Sequence, residues 1–143
     1  MFYSQDRATQ RKFLYNAWQK FINNEPLEAL EAKLAQIISI HKEYHNLINN
    51  IYEDYLPEAG KTNPFLHINL HLALREQLAI DRPRGIKKSY NILLTKINDS
   101  HKVEHLMMDC IANMIFLAQK SNTNLDEEKY LDCIQKQIIN FSN

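Results

Sequence analysis

Glycine and proline are scarce in this chain of 143 residues, which contains only two glycines and four prolines. No segment alternates apolar and polar residues as a half-buried strand does, and apolar residues recur instead at spacings of three and four. Neither a Gly-rich phosphate loop nor a nucleophile elbow can be found. We therefore predict an all-α fold, a single-domain bundle of five to seven helices over residues 1–143.

Cysteine and long apolar runs are also scarce. Cys110 and Cys133 are far apart and form no CxxC motif, so we expect reduced thiols and a cytoplasmic location, with Cys110 a small core residue. No run approaches 18 consecutive apolar residues, which argues against a membrane-spanning helix. The N-terminal stretch MFYSQDRATQRKF carries charges where a signal peptide would have its apolar region.

An excess of charge of either sign is absent as well, since Lys plus Arg and Asp plus Glu number 17 each. Proteins that depend on phosphate contacts usually carry a basic excess, so this balance argues against nucleic acid as a partner. The 45% of hydrophobic residues suffice for one core. The expected partner is an unidentified small molecule or protein, or a second copy of the chain.

The apolar period and its interruptions predict where each helix lies. The predicted helices span roughly 6–21, 27–55 with a break near 38–41, 64–80, 86–97, 101–120 and 126–139. Pro26 suits the first turn of the second helix, and Asn63 before Pro64 is typical of a cap followed by a first turn. Ser100 is predicted to cap the helix that follows it.

What the chain does have is histidine at one repeated spacing. Its six histidines form three pairs four residues apart: His41 and His45, His67 and His71, His101 and His105. Random placement would give about 0.2 such pairs in a chain of this length. Residues four apart share one face of a helix, and this spacing lets two imidazoles reach one metal ion.

The faces that carry these pairs turn toward the interior or border it. On a helical wheel, His67 and His71 share a stripe with leucines, whereas the other two pairs lie at the edge of apolar faces. Glu104 falls on an apolar face, where a carboxylate must be paired or coordinated. The segment HKVEH, residues 101–105, also matches the H-x-x-E-H pattern of inverted zinc peptidases, although the chain leaves little room for their further ligand and cleft.

Several interpretations of these residues stay open. In one, the histidines are core residues in a metal-free hydrogen-bonded network; in another, one pair orients the ligands rather than binding the metal. Imidazole and carboxylate suit zinc, iron, manganese, nickel and copper alike, and two metal ions are conceivable. Separately, the arginines between Arg75 and Arg84 could receive an anion, or could simply hold a helix end and loop through ion pairs.

Three motifs in order, NPFLHINLHLALREQ, DRPRG and HKVEHLMMDCIANMIFLAQ, resemble the bacterial proteins grouped as domain-of-unknown-function family 1841. The resemblance covers most of the chain and implies a small cytoplasmic helical protein. It implies no activity, so the choice of site residues rests on spacing and facing.

We hypothesise that the helices beginning at Pro64 and His101 hold a divalent metal ion, either zinc, iron, manganese or nickel. The proposed ligands are His67, His71, His101, Glu104 and His105, with His41 and His45 completing or supporting the site. If the protein is an enzyme, a metal-dependent hydrolase or metal redox chemistry is expected, with Glu104 as ligand or base. The alternative is a metal-free interaction module or small homo-oligomer without catalysis.

Overall fold

Helices account for the regular structure of residues 7–46, 48 and 63–141, which are the residues described by this computed structural model. Within these ranges lie six α-helices, one short 3-10 helix and no strand. The α-helices are α1 (Arg7–Ile22), α2 (Ala29–Ser39), α3 (Pro64–Ile80), α4 (Ile86–Ile97), α5 (Ser100–Ser121) and α6 (Glu127–Asn140), and the 3-10 helix is Lys42–Tyr44. The prediction of an all-α helical bundle is confirmed.

The chain divides into two compact units, Met1–Leu72 and Ala73–Asn143. In the first unit, α1 packs against α2 around a buried apolar cluster. Its fully buried members include Leu14, Ala17, Leu34, Ile37, Ile38, Ile48 and Ile68. In the second unit, α4, α5 and α6 pack against one another, and Tyr130 of α6 donates a hydrogen bond to Gln77 Oε1 at 2.6 Å. The prediction of one domain over residues 1–143 concerns independent folding and stays a prediction.

Short polar side chains set the helix starts, although not always those expected from the sequence. Asn63 Oδ1 accepts hydrogen bonds from the backbone N–H groups of Phe65 and Leu66, as predicted for the start of α3. Helix α5 begins at Ser100, but the cap is Asp99, whose carboxylate accepts from the N–H of Lys102. The prediction of a Ser100 cap is therefore wrong by one residue.

The second predicted helix breaks where the sequence allowed a break. Helix α2 ends at Ser39, whose hydroxyl donates to the carbonyl of Gln36, and residues 42–44 form the 3-10 helix. Pro26 precedes α2 rather than lying in its first turn, because α2 begins at Ala29. Most of the predicted continuation toward residue 55 lies outside the described residues.

The two cysteines contradict the prediction of reduced thiols. Cys110 and Cys133 form a disulfide between α5 and α6, with their Cα atoms 5.7 Å apart. They are 23 residues apart in sequence, but a short connection allows these consecutive helices to pack together. Cys110 is fully buried, as predicted for a core residue. The expectation of a cytoplasmic location loses the support that it drew from reduced thiols.

None of the helices in the described part of the chain combines the length and apolar character needed to span a membrane.

Candidate metal centre

The C-terminal end of α2 orients two of the predicted histidines. The last carbonyl groups of a helix lack partners within the helix and accept hydrogen bonds from other donors. His41 Nδ1 donates to the carbonyl of Ile37 at 2.7 Å, and His45 Nε2 donates to that of Ile38 at 3.0 Å. A neutral imidazole that donates from Nδ1 carries its lone pair on Nε2, so His41 presents Nε2 as a metal-binding atom.

Helix α3 presents the second predicted pair on one face. His67 Nε2 and His71 Nε2 lie 3.2 Å apart, so one of these nitrogens donates its proton to the other. Their rings are 4.8 Å apart at an interplanar angle of 73°. A cation that bound both Nε2 atoms would have to replace this proton.

His41 joins this pair. Its ring centroid lies 5.0 Å from that of His67 and 4.7 Å from that of His71, edge to face in both cases. One nitrogen from each of the three rings lies within 4.8 Å of the others. Two nitrogens bound to one zinc ion at about 2.1 Å and a tetrahedral angle are roughly 3.4 Å apart. The His67–His71 distance of 3.2 Å is close to this value, and the nitrogen of His41 lies within 4.8 Å of both.

The three rings differ in their access to solvent. His41 is 1% exposed and His71 is fully buried, whereas His67 is partly exposed. Tyr44 lies beside them, with its ring stacked on His41 at 5.4 Å and edge-on to His67 at 5.6 Å. Burial, followed by the charge of Glu43, raises the pKa of the Tyr44 hydroxyl, so this group stays protonated over the ordinary range. Of the three rings, that of His67 therefore has the greatest access to solvent.

His45 has a different setting from its sequence partner His41. Its ring lies 4.5 Å from that of Trp18, in addition to its hydrogen bond to Ile38. These contacts hold the end of α2 against α1. His45 therefore contributes to packing in this unit, and its role as a metal ligand stays a prediction.

In the second unit, the HKVEH segment lies on α5. The rings of His101 and His105 are 4.2 Å apart at 74°. Glu104 is 7% exposed, and Arg75 donates to both of its carboxylate oxygens, Nε to Oε1 at 3.1 Å and Nη2 to Oε2 at 3.3 Å. The apolar face of α5 therefore carries a carboxylate that is paired, which is one of the two outcomes expected from the sequence.

Two contacts near these residues were missed by the sequence analysis. The carbonyl of Ile37 orients His41. The predicted break of α2 near residues 38–41 could have indicated this contact, because the last carbonyl groups of a helix accept hydrogen bonds from nearby donors. The sequence left open whether Arg75 receives an anion or forms an ion pair; its guanidinium pairs with Glu104, a partner that the sequence did not indicate. Asp81, from the same segment, accepts a hydrogen bond from the N–H of Lys87 at the start of α4. Hydrogen bonds to the backbone of Lys87 and Gly85 lower the pKa of the Asp81 carboxyl.

Comparison with known proteins identifies the family of the chain. No curated protein and no solved structure matches it. The family model described as a domain of unknown function, DUF1841, matches residues 6–136, a range that includes all of the predicted site residues. The match confirms the resemblance found in the three sequence motifs, and the chain belongs to this domain-of-unknown-function family.

Proposed function

We propose that this protein binds one divalent transition-metal ion, with zinc the preferred choice, through His41, His67 and His71. The observation that carries the proposal is the convergence of three imidazoles, one nitrogen of each lying within 4.8 Å of the others. Two of the rings are buried, so their orientations are set by the core rather than by solvent.

The hydrogen bond from His41 to Ile37 supports this proposal. A metal-binding histidine usually donates its other ring N–H to a carbonyl or carboxylate, which fixes the tautomer and the direction of the ring. His41 has this arrangement before any metal binds, since Nδ1 donates to the Ile37 carbonyl at 2.7 Å. Metal binding would also replace the hydrogen bond between His67 Nε2 and His71 Nε2. The ring that now donates this hydrogen bond would then carry its proton on Nδ1, which leaves both Nε2 atoms available to the metal.

The donor set restricts the metal. Three neutral imidazoles favour zinc, nickel, copper or iron over magnesium and calcium, which prefer oxygen ligands. Three protein ligands leave a coordination position open on a tetrahedral ion, and the partly exposed His67 marks the side where water can reach it. Zinc lowers the pKa of a bound water molecule to about 7, and a hydrolase activity would depend on that water.

The sequence candidates on α5, His101, Glu104 and His105, stay predicted ligands, and His45 is proposed to support the site rather than to bind the ion. His105→Ala tests whether the HKVEH segment contributes, because loss of a true ligand weakens binding by at least about 10- to 100-fold. His101→Ala provides the matched comparison from the same pair. If zinc affinity falls in His105→Ala and not in His101→Ala, the fourth ligand is His105 rather than water.

Metal binding is tested on untagged protein stripped with a chelator and then dialysed. We expect close to one zinc ion per chain by elemental analysis. Cobalt substitution is expected to show the visible absorption of a four-coordinate nitrogen site. His67→Ala should weaken zinc binding by at least about 10- to 100-fold, as measured by calorimetric titration.

The matched control is His45→Ala, which removes the same side chain from the position that contacts Trp18. Its zinc affinity should stay within about threefold of wild type, and circular dichroism establishes that both variants are folded. Less than about 0.2 zinc per chain, or equal losses of affinity in the two variants, would overturn the proposal.

A metal-free interaction module is the second candidate. The observation that favours it is the hydrogen bond between His67 Nε2 and His71 Nε2, which gives each of these two atoms a partner without a metal. In this case chelation leaves stability unchanged, and binding to a partner or to a second copy is unaffected by zinc. The calorimetric titration therefore distinguishes the two candidates.

A further inference from the structure

The disulfide between α5 and α6 joins two sulfurs in different surroundings. Cys110 is fully buried, and its neighbours one turn away on α5 include Met107 and Met114, both buried. Cys133 on α6 is partly exposed. An attacking thiolate must approach a sulfur along the line of the S–S bond, and of the two cysteines it is Cys133 that has exposure to solvent in the folded protein.

The charges around Cys133 also favour attack at this sulfur. Lys129 lies one turn before Cys133 on α6 and Lys136 one turn after it, and both are exposed. Residues at these spacings share one face of a helix. Their positive charge attracts an anionic thiolate and stabilises the Cys133 thiolate that forms later, with Asp132 the nearest acidic residue in sequence.

We propose that Cys133 is a thiol-exchange site, at which a low-molecular-weight thiol opens the disulfide. The thiolate attacks Cys133 Sγ, the Sγ–Sγ bond breaks, and Cys110 leaves as a thiolate that takes a proton from solvent. A second thiolate then attacks the sulfur of the added group, releasing the oxidised thiol dimer and the Cys133 thiolate. Overall, two thiols are oxidised and the protein disulfide is reduced by two electrons.

Opening the bond changes the stability of the second unit. The disulfide closes a loop across 23 residues, which restricts the unfolded chain. Reduction should therefore lower the melting temperature by about 10 °C. The proposal does not depend on the metal site, because neither cysteine belongs to it.

The test uses the wild-type chain, without reductant, in a series of glutathione redox buffers. Wild-type protein denatured in an alkylating reagent should show no free thiol. Brief exposure to reduced glutathione should add one glutathione to Cys133, located by peptide mass mapping, with Cys110 left as the free thiol. Glutathione found on Cys110, or equally on both residues, would overturn the proposal, as would two free thiols in the untreated protein.

Single variants provide the matched comparison. In Cys110→Ser, Cys133 should react with oxidised glutathione at least about 10-fold faster than Cys110 does in Cys133→Ser, because the latter thiol reacts only after local opening. If the variants do not fold, the mass mapping of the wild-type chain still decides the outcome. Equal rates in two folded variants would contradict the asymmetry on which the proposal rests.

Discussion

At the residue scale, the roles of the histidines depend on which backbone carbonyl or ring each one meets. His41 and His45 have the same spacing and lie at the end of the same helix, yet one converges with α3 and the other packs on Trp18. The difference arises because α2 ends at Ser39, so that the two residues do not continue a common helical face. A spacing of four places side chains together only while the helix persists.

The environment of Glu104 depends on a partner residue on another helix. The Glu104 side chain is 9% exposed and is paired with Arg75, whose side chain is 31% exposed. We expect Arg75→Ala to lower the free energy of unfolding by about 2 kcal/mol, because it removes the guanidinium that pairs with a buried carboxylate while solvent at Arg75 screens part of the lost interaction. Urea unfolding followed by circular dichroism measures the loss.

Adding Glu104→Gln to that variant should recover part of the stability, since the amide carries no charge. Arg84→Ala, which removes an exposed arginine, is the control and should change the free energy by less than about 0.5 kcal/mol. Equal losses in Arg75→Ala and Arg84→Ala would contradict the assigned pairing.

At the element scale, short-range hydrogen bonds at helix ends determine how the helices begin. Glu31 Oε1 accepts a hydrogen bond from the backbone N–H of Glu28 at 2.9 Å at the start of α2. Its other oxygen, Oε2, pairs with Lys20 of α1 at 2.8 Å. One carboxylate thus caps α2 and joins it to α1.

This cap predicts a stability that depends on pH. The N–H of Glu28, and then the ammonium group of Lys20, lower the pKa of the Glu31 carboxyl below its usual 4.5. A lowered pKa in the folded state means that the stabilisation is present above pH 4.5 and is lost as pH falls below it. Glu31→Gln should therefore melt at a lower temperature than wild type at pH 7, with the difference shrinking as pH falls below 4.5. Glu43→Gln, at an exposed position, should track wild type throughout, and a difference for Glu31→Gln that grows as pH falls below 4.5 would refute the assignment.

At the scale of the whole molecule, metal binding and stability are linked. A ligand that binds only the folded chain stabilises it by about 2.7 kcal/mol at 100 times its dissociation constant. For a chain of this size we expect zinc to raise the melting temperature by about 6–10 °C at pH 7.5. At pH 5 the rise should disappear, because histidines ordinarily protonate near pH 6.5 and a protonated imidazole cannot bind a metal.

Differential scanning calorimetry with and without zinc measures this shift. At pH 7.5 His67→Ala should show at most about half of the wild-type rise, because its affinity for zinc is lower by at least about 10-fold, whereas His45→Ala should behave as wild type. A zinc-induced rise that survives at pH 5, or that is undiminished in His67→Ala, would place the metal elsewhere.

Much of the fold followed from local patterns. The apolar period predicted the ranges of α3 and α4 closely, because each helix has its own cap or turn residue and needs no distant contact to be recognised. The start of α5 was misassigned to a Ser100 cap, since Asp99 is an equally good acceptor one residue earlier and only backbone geometry selects between them. The disulfide was missed because helix packing, which spacing does not reveal, brings Cys110 and Cys133 together.

The sequence by itself determined that the chain is helical, that its histidines come in pairs one turn apart and that Glu104 needs a partner. These properties depend on residues within one or two helical turns of each other. Only the tertiary structure decided that His41 meets His67 and His71, that His45 meets Trp18, and that the partner of Glu104 is Arg75. Such contacts join residues far apart in sequence, and they depend on where α2 ends and on how neighbouring helices pack around their buried side chains.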